Sequence, residues 1–341
     1  MQRQYSKKRI LIYSMMNIIG LIAVLYVVDF QQFMEYTKKI RPVSVILIFL
    51  IWVLIVVFHA WRFATILDKA GWIKISIGRA IQYLQMGSLT NIVVPRTGEI
   101  TRLIVTSEEG PLGGIAVSII LEKFIDLVTA AFVSLGSLLL FMKFGTFQSE
   151  TAYNIAIFAI ILCVSIILFF VSIFFFREYG YKLLDRFLAT FEKLKPSKND
   201  KVVRQDAQRG AERFLGDSIA FGKVFIPSLG IWVFYAASIW VILHDLGLQD
   251  LVGGSFLVVQ LATLFGLLII ALPVPAFGAY EGAIGFAIGG TTPLAATNGA
   301  SVALIDHLLK TVFSLIAGII ATLIRSYAVS KEVLKKKEEG R

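Results

Sequence analysis

The chain has 341 residues, of which 57% are hydrophobic and 16% are charged. Soluble domains carry about 25% charged residues, so this composition excludes a soluble enzyme and indicates an integral membrane protein. The net charge of +10 does not indicate a nucleic-acid partner, because the lysines and arginines flank long uncharged runs, as in membrane proteins. The single cysteine, Cys163, excludes an internal disulfide. The histidines are far apart and no ATP-binding loop motif is present, so we expect neither a metal nor a cofactor.

Seven apolar runs predict membrane-spanning helices, which need about 20 residues to cross a hydrocarbon core roughly 30 Å thick. The first follows a basic stretch, as in a signal peptide, but it is long for one and lacks a small-residue cleavage site. We therefore interpret it as a retained helix. The other six runs follow along the chain, and two of them, 124–142 and 311–324, carry charges near one end. The runs are 10–28, 43–58, 124–142, 155–176, 224–243, 251–272 and 311–324.

The basic segments predict the orientation. The N-terminus, 62–74, 177–223 and the tail 331–341 are basic, so we expect them in the cytosol and the protein in the plasma membrane. The basic connection 29–42 argues weakly against this orientation. We expect one transmembrane domain over 1–330. The apolar residues of 181–194 have helical spacing, which suits either a helix in the membrane interface or a solvated helix packed under the bundle.

Seven spans would put the two basic termini on opposite sides, so one further or broken crossing is needed. The candidates are 77–99 and 273–290, and both contain helix-breaking residues. Irregular backbone survives at membrane depth only inside protein or around a wet cavity. Two such segments in comparable halves indicate a site between inverted repeats, although chance similarity is the alternative. The predicted breaks are at Pro95, Gly98, Pro273, Pro275, Gly278 and Gly282, and the last two would allow close backbone approach.

The sequence thus predicts an all-α, polytopic helical membrane bundle. We expect about eight crossings, with two interrupted or re-entrant segments that meet near the midplane.

Charged residues within the apolar runs are the candidates for function, because each costs about 2.5–3.5 kcal/mol at membrane depth. Ser118, Glu122 and Asp126 are spaced four apart, on one helix face, with Lys123 about 100° away. They face either the bundle interior or the cytosolic interface. Glu281 lies within the second broken segment.

The last predicted helix carries a second charged group. Asp306 and Lys310 have the favourable order for an ion pair within a helix. His307 is either a hydrogen-bonded core residue or a proton relay, since it titrates nearest neutrality.

The segment 91–102 begins with Asn91 and brings Arg96, Glu99 and Arg102 together after an apolar stretch. The planar guanidinium suits phosphate or carboxylate. A helix that begins near Glu99 would also direct backbone N–H groups at an anion. The alternative is that these side chains reach out of the membrane to the cytosolic interface.

Three motifs in this order resemble one family: P-R-x-G-E-x-x-R at 95–102, S-x-x-x-E-K-x-x-D at 118–126, and the run from Pro273 to Glu281. The family is the lysylphosphatidylglycerol synthase transmembrane region, which includes stand-alone flippase-like proteins and part of the bacterial multiple peptide resistance factor. The resemblance runs from about residue 10 to 324 and includes the pair Trp61-Arg62. Lys123 and His307 lie at or near positions where members of this family usually have arginine.

The resemblance implies that the protein binds and translocates an anionic phospholipid or a lipid-linked intermediate. The partners would be membrane lipids, including a lipid-linked glycan or an aminoacylated phospholipid, and a second copy of the chain. Arg96, Arg102, Lys123, His307 and Lys310 would bind the headgroup. The counter-charges and polar path would be Asn91, Glu99, Ser118, Glu122, Asp126, Glu281 and Asp306.

We expect no enzyme activity, because the synthase reaction needs a soluble domain after the membrane region and none is expected after Arg341. Two alternatives remain open. One is a non-transporting accessory or scaffold protein for a lipid or cell-envelope enzyme. The other is a membrane-embedded enzyme that uses the carboxylates as acid and base.

Overall fold

The computed structural model describes residues 30–94, 97–144, 150–175, 200–248 and 296–339, together with 281–282, 284–285 and 288. These residues contain nine long helical segments and no strand, so the all-α prediction is confirmed. In chain order the helices are α1 (Phe30–Lys39), α2 (Pro42–Lys69), α3 (Ile77–Val93), α4 (Gly98–Thr106), α5 (Leu112–Phe144), α6 (Glu150–Phe175), α7 (Asp200–Gly216), α8 (Ser218–Asp245) and α9 (Ala296–Glu339).

Five of these helices, α2, α5, α6, α8 and α9, are long and apolar enough to cross a membrane. They coincide with five of the seven predicted spans, and the other two, 10–28 and 251–272, lie outside the described residues. The predicted boundaries are too narrow, because charged residues continue the helices. The clearest correction concerns Arg62, which was expected at the end of its span but lies seven residues before the end of α2.

The bundle has two distinct ends. Arg41, just before α2, pairs with Asp245 at the last residue of α8, at 2.6 Å between Nη2 and Oδ1. Helices α2 and α8 are therefore antiparallel along their whole length. The opposite end holds Lys69, the start of α8 and helix α7, and we refer to it as the α7 end.

Helices α3 and α4 form a re-entrant hairpin rather than a crossing. A Cβ atom added at Gly87 would lie 2.7 Å from the carbonyl oxygen of Gly98, and one at Gly98 would lie 2.7 Å from that of Gly87. The two helices thus touch backbone to backbone, which only glycine allows. Arg79 near the start of α3 donates to Glu109 just after α4 at 3.0 Å, so the hairpin begins and ends at the α7 end. The predicted interruption of 77–99 is confirmed.

The second predicted break is described at only a few positions. Ile284 and Ile288 are buried in a core cluster with α8 and α9. A Cβ at Gly299 of α9 would lie 2.9 Å from the Cα of Gly285, so this segment packs closely against α9. A Cβ at Gly282 would meet none of the described atoms within 4 Å, so the close approach predicted there is not found. Pro273, Pro275 and Gly278 lie outside the described residues, and the break there stays a prediction.

Helix α7 is fixed to the underside of the bundle. Its Ala207, Ala211 and Phe214 are buried against α2, α5 and α8. The indole of Trp72 lies so close to α7 that a Cβ at Gly210 would be 2.2 Å from its Nε1 atom. Part of the predicted loop 177–223 is therefore a docked helix, whereas 181–194 lies outside the described residues.

We expect Gly210→Ala to destabilise the protein, because the new methyl group must displace Trp72. Overpacking of this kind costs roughly 1–3 kcal/mol. Gly216→Ala is the matched control on the same helix, since its Cβ would meet no described atom within 4 Å. Thermal unfolding of the detergent-solubilised protein would compare the two. Equal midpoints for both variants would contradict the close contact at Trp72.

Candidate functional site

A cavity of about 530 Å³ lies between α2, the α3–α4 hairpin, α5, α8 and α9. Arg62 and Lys123 in its wall lie seven and eleven residues from the α7 end of their helices, or roughly 10 and 16 Å along the helix axis. Asp306 lies ten residues from the other end, roughly 15 Å. The cavity therefore lies within the thickness of the hydrocarbon core.

The cavity brings together the predicted site residues from three separate parts of the sequence. Glu281 reaches it through His307, whose Nδ1 lies 2.7 Å from the Glu281 carboxylate. Ser118 does not line it: it is buried, and its hydroxyl donates to the carbonyl of Ile115 at 2.7 Å. Arg96 and Pro95 lie outside the described residues. The predicted residues in the wall are Asn91, Gly98, Glu99, Arg102, Glu122, Lys123, Asp126, Asp306, His307 and Lys310.

Arg62 is the centre of a buried ion cluster. Its side chain is 1% exposed. Its Nη2 atom donates to Glu122 Oε1 and to Asp126 Oδ2, both at 3.0 Å. Its Nη1 contacts the second Asp126 oxygen and donates to Ser228 at 3.2 Å, and Nη2 lies 3.0 Å from His59 Nδ1. Every nitrogen of this guanidinium has a protein partner, so Arg62 stabilises both carboxylates and holds α2, α5 and α8 together.

Arg102 of α4 is bound differently. Its Nη2 forms an ion pair with the other Glu122 oxygen at 2.5 Å, and its guanidinium carbon lies 4.5 Å from the centre of the Phe63 ring. The side chain is 8% exposed. Its Nε atom has no hydrogen-bond partner in the described part of the chain, and the contact to Glu122 is close but lacks hydrogen-bond geometry. Arg102 therefore has hydrogen-bond donors that the described protein does not use, whereas Arg62 does not.

A second ion pair lies on α9, across the cavity. Lys310 donates to Asp306 Oδ2 at 2.7 Å and to Ser238 of α8 at 2.6 Å, and its Nζ lies 4.8 Å from the centre of the Tyr235 ring. The predicted ion pair within the last helix is confirmed. His307 beside it is hydrogen-bonded, as expected for a hydrogen-bonded core residue. The proton relay stays a prediction.

The described wall is balanced in charge. Four cations, Arg62, Arg102, Lys123 and Lys310, are matched by four carboxylates, Glu99, Glu122, Asp126 and Asp306. Each cation lies against one of these carboxylates. Pairing with an opposite charge lowers the free-energy cost of burying these side chains at membrane depth. An anion that enters can therefore bind by replacing a carboxylate beside a cation.

Several residues in the wall were not predicted from the sequence. Arg62 looked like the end of a span, although two carboxylates on one face of α5 signal that a buried cation must lie opposite them. Gln85 of α3 gives no such signal, but it is buried, and its Oε1 has no hydrogen-bond partner among the described residues. His59, Trp232 and Tyr235 also lie in the wall, and sequence spacing does not single them out.

A family model described as lysylphosphatidylglycerol synthase TM region matches residues 10–318. The match covers all of α1 to α8 and about half of α9. Comparisons with curated proteins and with solved structures gave no match. The matched range includes every described residue of the cavity wall. The chain is an integral membrane protein that belongs to the lysylphosphatidylglycerol synthase TM region family.

Proposed function

We propose that this cavity binds the headgroup of an anionic phospholipid or lipid-linked intermediate and allows it to cross the membrane, without enzyme chemistry. The observation that carries the proposal is the buried guanidinium of Arg102, which has an unused donor in the wall of a cavity at membrane depth. Arginine pairs with phosphate through two parallel hydrogen bonds. Such bonds are stronger where water is excluded.

The neighbouring residues support this role. Gln85 offers an acceptor to a hydroxyl group of the headgroup. Lys123, His307 and Lys310 supply further donors in the wall, and the paired carboxylates keep the empty cavity close to neutral. Arg96 remains a predicted partner of Arg102 in phosphate binding.

We also propose that the α7 end faces the cytosol of a plasma-membrane protein. This end carries Lys69, Lys74, Arg79 and Lys223, and cytosolic segments are enriched in lysine and arginine. Both termini would then be cytosolic.

The prediction is tested by labelling cysteines introduced at Lys74 and at Lys143, near opposite ends of the bundle, in intact cells. Only the second should react with an impermeant reagent, and reaction at Lys74 alone would reverse the orientation.

Mass spectrometry of lipids that co-purify with the protein tests the binding step. We expect anionic phospholipid to be enriched over its share in the membrane from which the protein was extracted. A bound-lipid composition equal to that of the membrane would contradict the proposal. Binding without transport in vesicles would instead support the accessory-protein alternative, and turnover of the lipid would support the enzyme alternative.

A further inference from the structure

We infer that the cleft between α4 and α5 is a lateral opening, through which the headgroup of an anionic phospholipid passes between the bilayer and the cavity. The Glu99–Lys123 ion pair closes this opening, and Lys123 selects the phosphate. The inference rests on the proposed lipid binding and adds the route and the residue that selects the lipid.

The first observation is the exposure of the Glu99–Lys123 ion pair. Both residues line the cavity, and their side chains are 44% and 60% exposed, with Nζ and Oε1 3.1 Å apart. The other cations of the described wall are largely buried. Among the ion pairs of this described wall, the Glu99–Lys123 pair is therefore the one that an entering ligand can reach most easily.

The second observation is depth. Lys123 lies eleven residues into α5, roughly 16 Å from the α7 end. Glu99 lies seven residues before the end of α4, roughly 10 Å from the same end. A hydrocarbon core is about 30 Å thick, so this pair lies at the level of the leaflet on the α7 side. Exposed charges at such depth are costly and mark a pathway for polar groups.

The third observation is the apolar surface around the pair. Ile100 and Ile104 of α4 and Phe124 of α5 are exposed beside it. Acyl chains can lie against these side chains while the headgroup turns inward. An apolar surface with a cation in its middle matches a phospholipid, which joins a phosphate to two apolar chains, better than it matches a free phosphate ion.

The pair is also easy to open. It is held by one ion contact at 3.1 Å, whereas Arg62 is fixed by six polar contacts that join three helices. A phosphate can replace the Glu99 carboxylate beside Lys123 at little cost, because one anion is exchanged for another. Arg102, on the same helix as Glu99, then lies further along the same wall.

Photo-cross-linking in vesicles tests the inference. A benzophenone amino acid replaces Phe124, and the vesicles contain equal parts of phosphatidylglycerol and phosphatidylcholine. We expect phosphatidylglycerol adducts to exceed phosphatidylcholine adducts by about two- to five-fold, the range that an exposed charge pair supports. Lys123→Gln should remove this excess and Glu99→Gln should increase it, because the competing carboxylate is gone. Lys143→Gln, an exposed lysine at the other end of α5, should change nothing.

A benzophenone at Leu168, which is exposed on α6, provides the reference, where adducts should follow the vesicle composition. Excess glycerol 3-phosphate should not reduce the adducts at 124 if the ligand is a lipid, and a reduction would overturn the lipid assignment. Equal adducts of both lipids at 124, or an excess that survives Lys123→Gln, would overturn the lateral opening. If anionic lipid still co-purifies in that case, the proposed function stands and the route lies elsewhere. If none co-purifies, both proposals are wrong.

Discussion

Replacement of Arg62 by alanine is expected to prevent stable folding. The substitution leaves Asp126 without its counter-charge and leaves the buried Glu122 with Arg102 alone. Removal of one partner of a buried ion pair costs about 3–5 kcal/mol, a large part of the roughly 5–15 kcal/mol that stabilises a native protein. We expect little monodisperse protein after extraction from membranes, as measured by size-exclusion chromatography with fluorescence detection.

Arg41→Ala is the matched control, because Arg41 also forms an interhelical ion pair, with Asp245, but its side chain is 61% exposed. The buried Asp245 carboxylate also accepts from the backbone N–H of Arg41 at 2.9 Å, a bond that alanine keeps. The loss should therefore be about 1 kcal/mol, and the variant should be extracted like the wild type. The combination of Arg62→Met and Asp126→Asn should recover folding, because Glu122 keeps its ion pair with Arg102 and no uncompensated charge remains. Normal yield of Arg62→Ala would show that the cluster is not a structural centre of the bundle.

Replacement of Arg102 should weaken lipid binding while the fold survives, because Glu122 keeps its ion pair with Arg62. Hydrogen bonds to charged groups contribute about 1.5–3 kcal/mol, so Arg102→Ala should weaken the affinity for anionic phospholipid by at least roughly tenfold. Arg102→Lys keeps the charge and the ion pair with Glu122 but loses the planar fork, so it should also be impaired. Native mass spectrometry with added phosphatidylglycerol measures the bound fraction for each variant.

Arg209→Lys, an exposed position on α7, should bind lipid like the wild type. Thermal unfolding measured alongside separates loss of binding from loss of structure. Wild-type binding by Arg102→Lys would show that the fork does not contact the phosphate. Failure of Arg102→Lys to fold would instead make Arg102 a structural partner of Glu122.

Part of this arrangement follows from local rules that operate within one segment. Helical spacing predicted that Glu122 and Asp126 share a face and that Asp306 pairs with Lys310. The break near Gly98 predicted that α3 does not continue. These features depend on neighbours in sequence, and the structure agrees with each.

Other features depend on contacts between distant segments. The backbone contact between Gly87 and Gly98 and the fit of Trp72 against Gly210 arise only when separate helices meet. Ser118 shows the converse limit. It lies on the same helix face as Glu122. A serine in a helix can donate its hydroxyl to a preceding backbone carbonyl, so Ser118 is buried in the interior without lining the cavity.

Transport of a fluorescent phosphatidylglycerol across vesicle membranes tests the central claim most directly. The protein is reconstituted in sealed vesicles, and a membrane-impermeant quencher reports how much labelled lipid reaches the outer leaflet. We predict that wild-type protein lets the quencher reach the label in both leaflets, whereas Arg102→Ala, folded and present in equal amount, leaves the inner half protected as in protein-free vesicles. Equal protection with wild-type protein and with none, or equal transport by Arg102→Ala, would contradict the account.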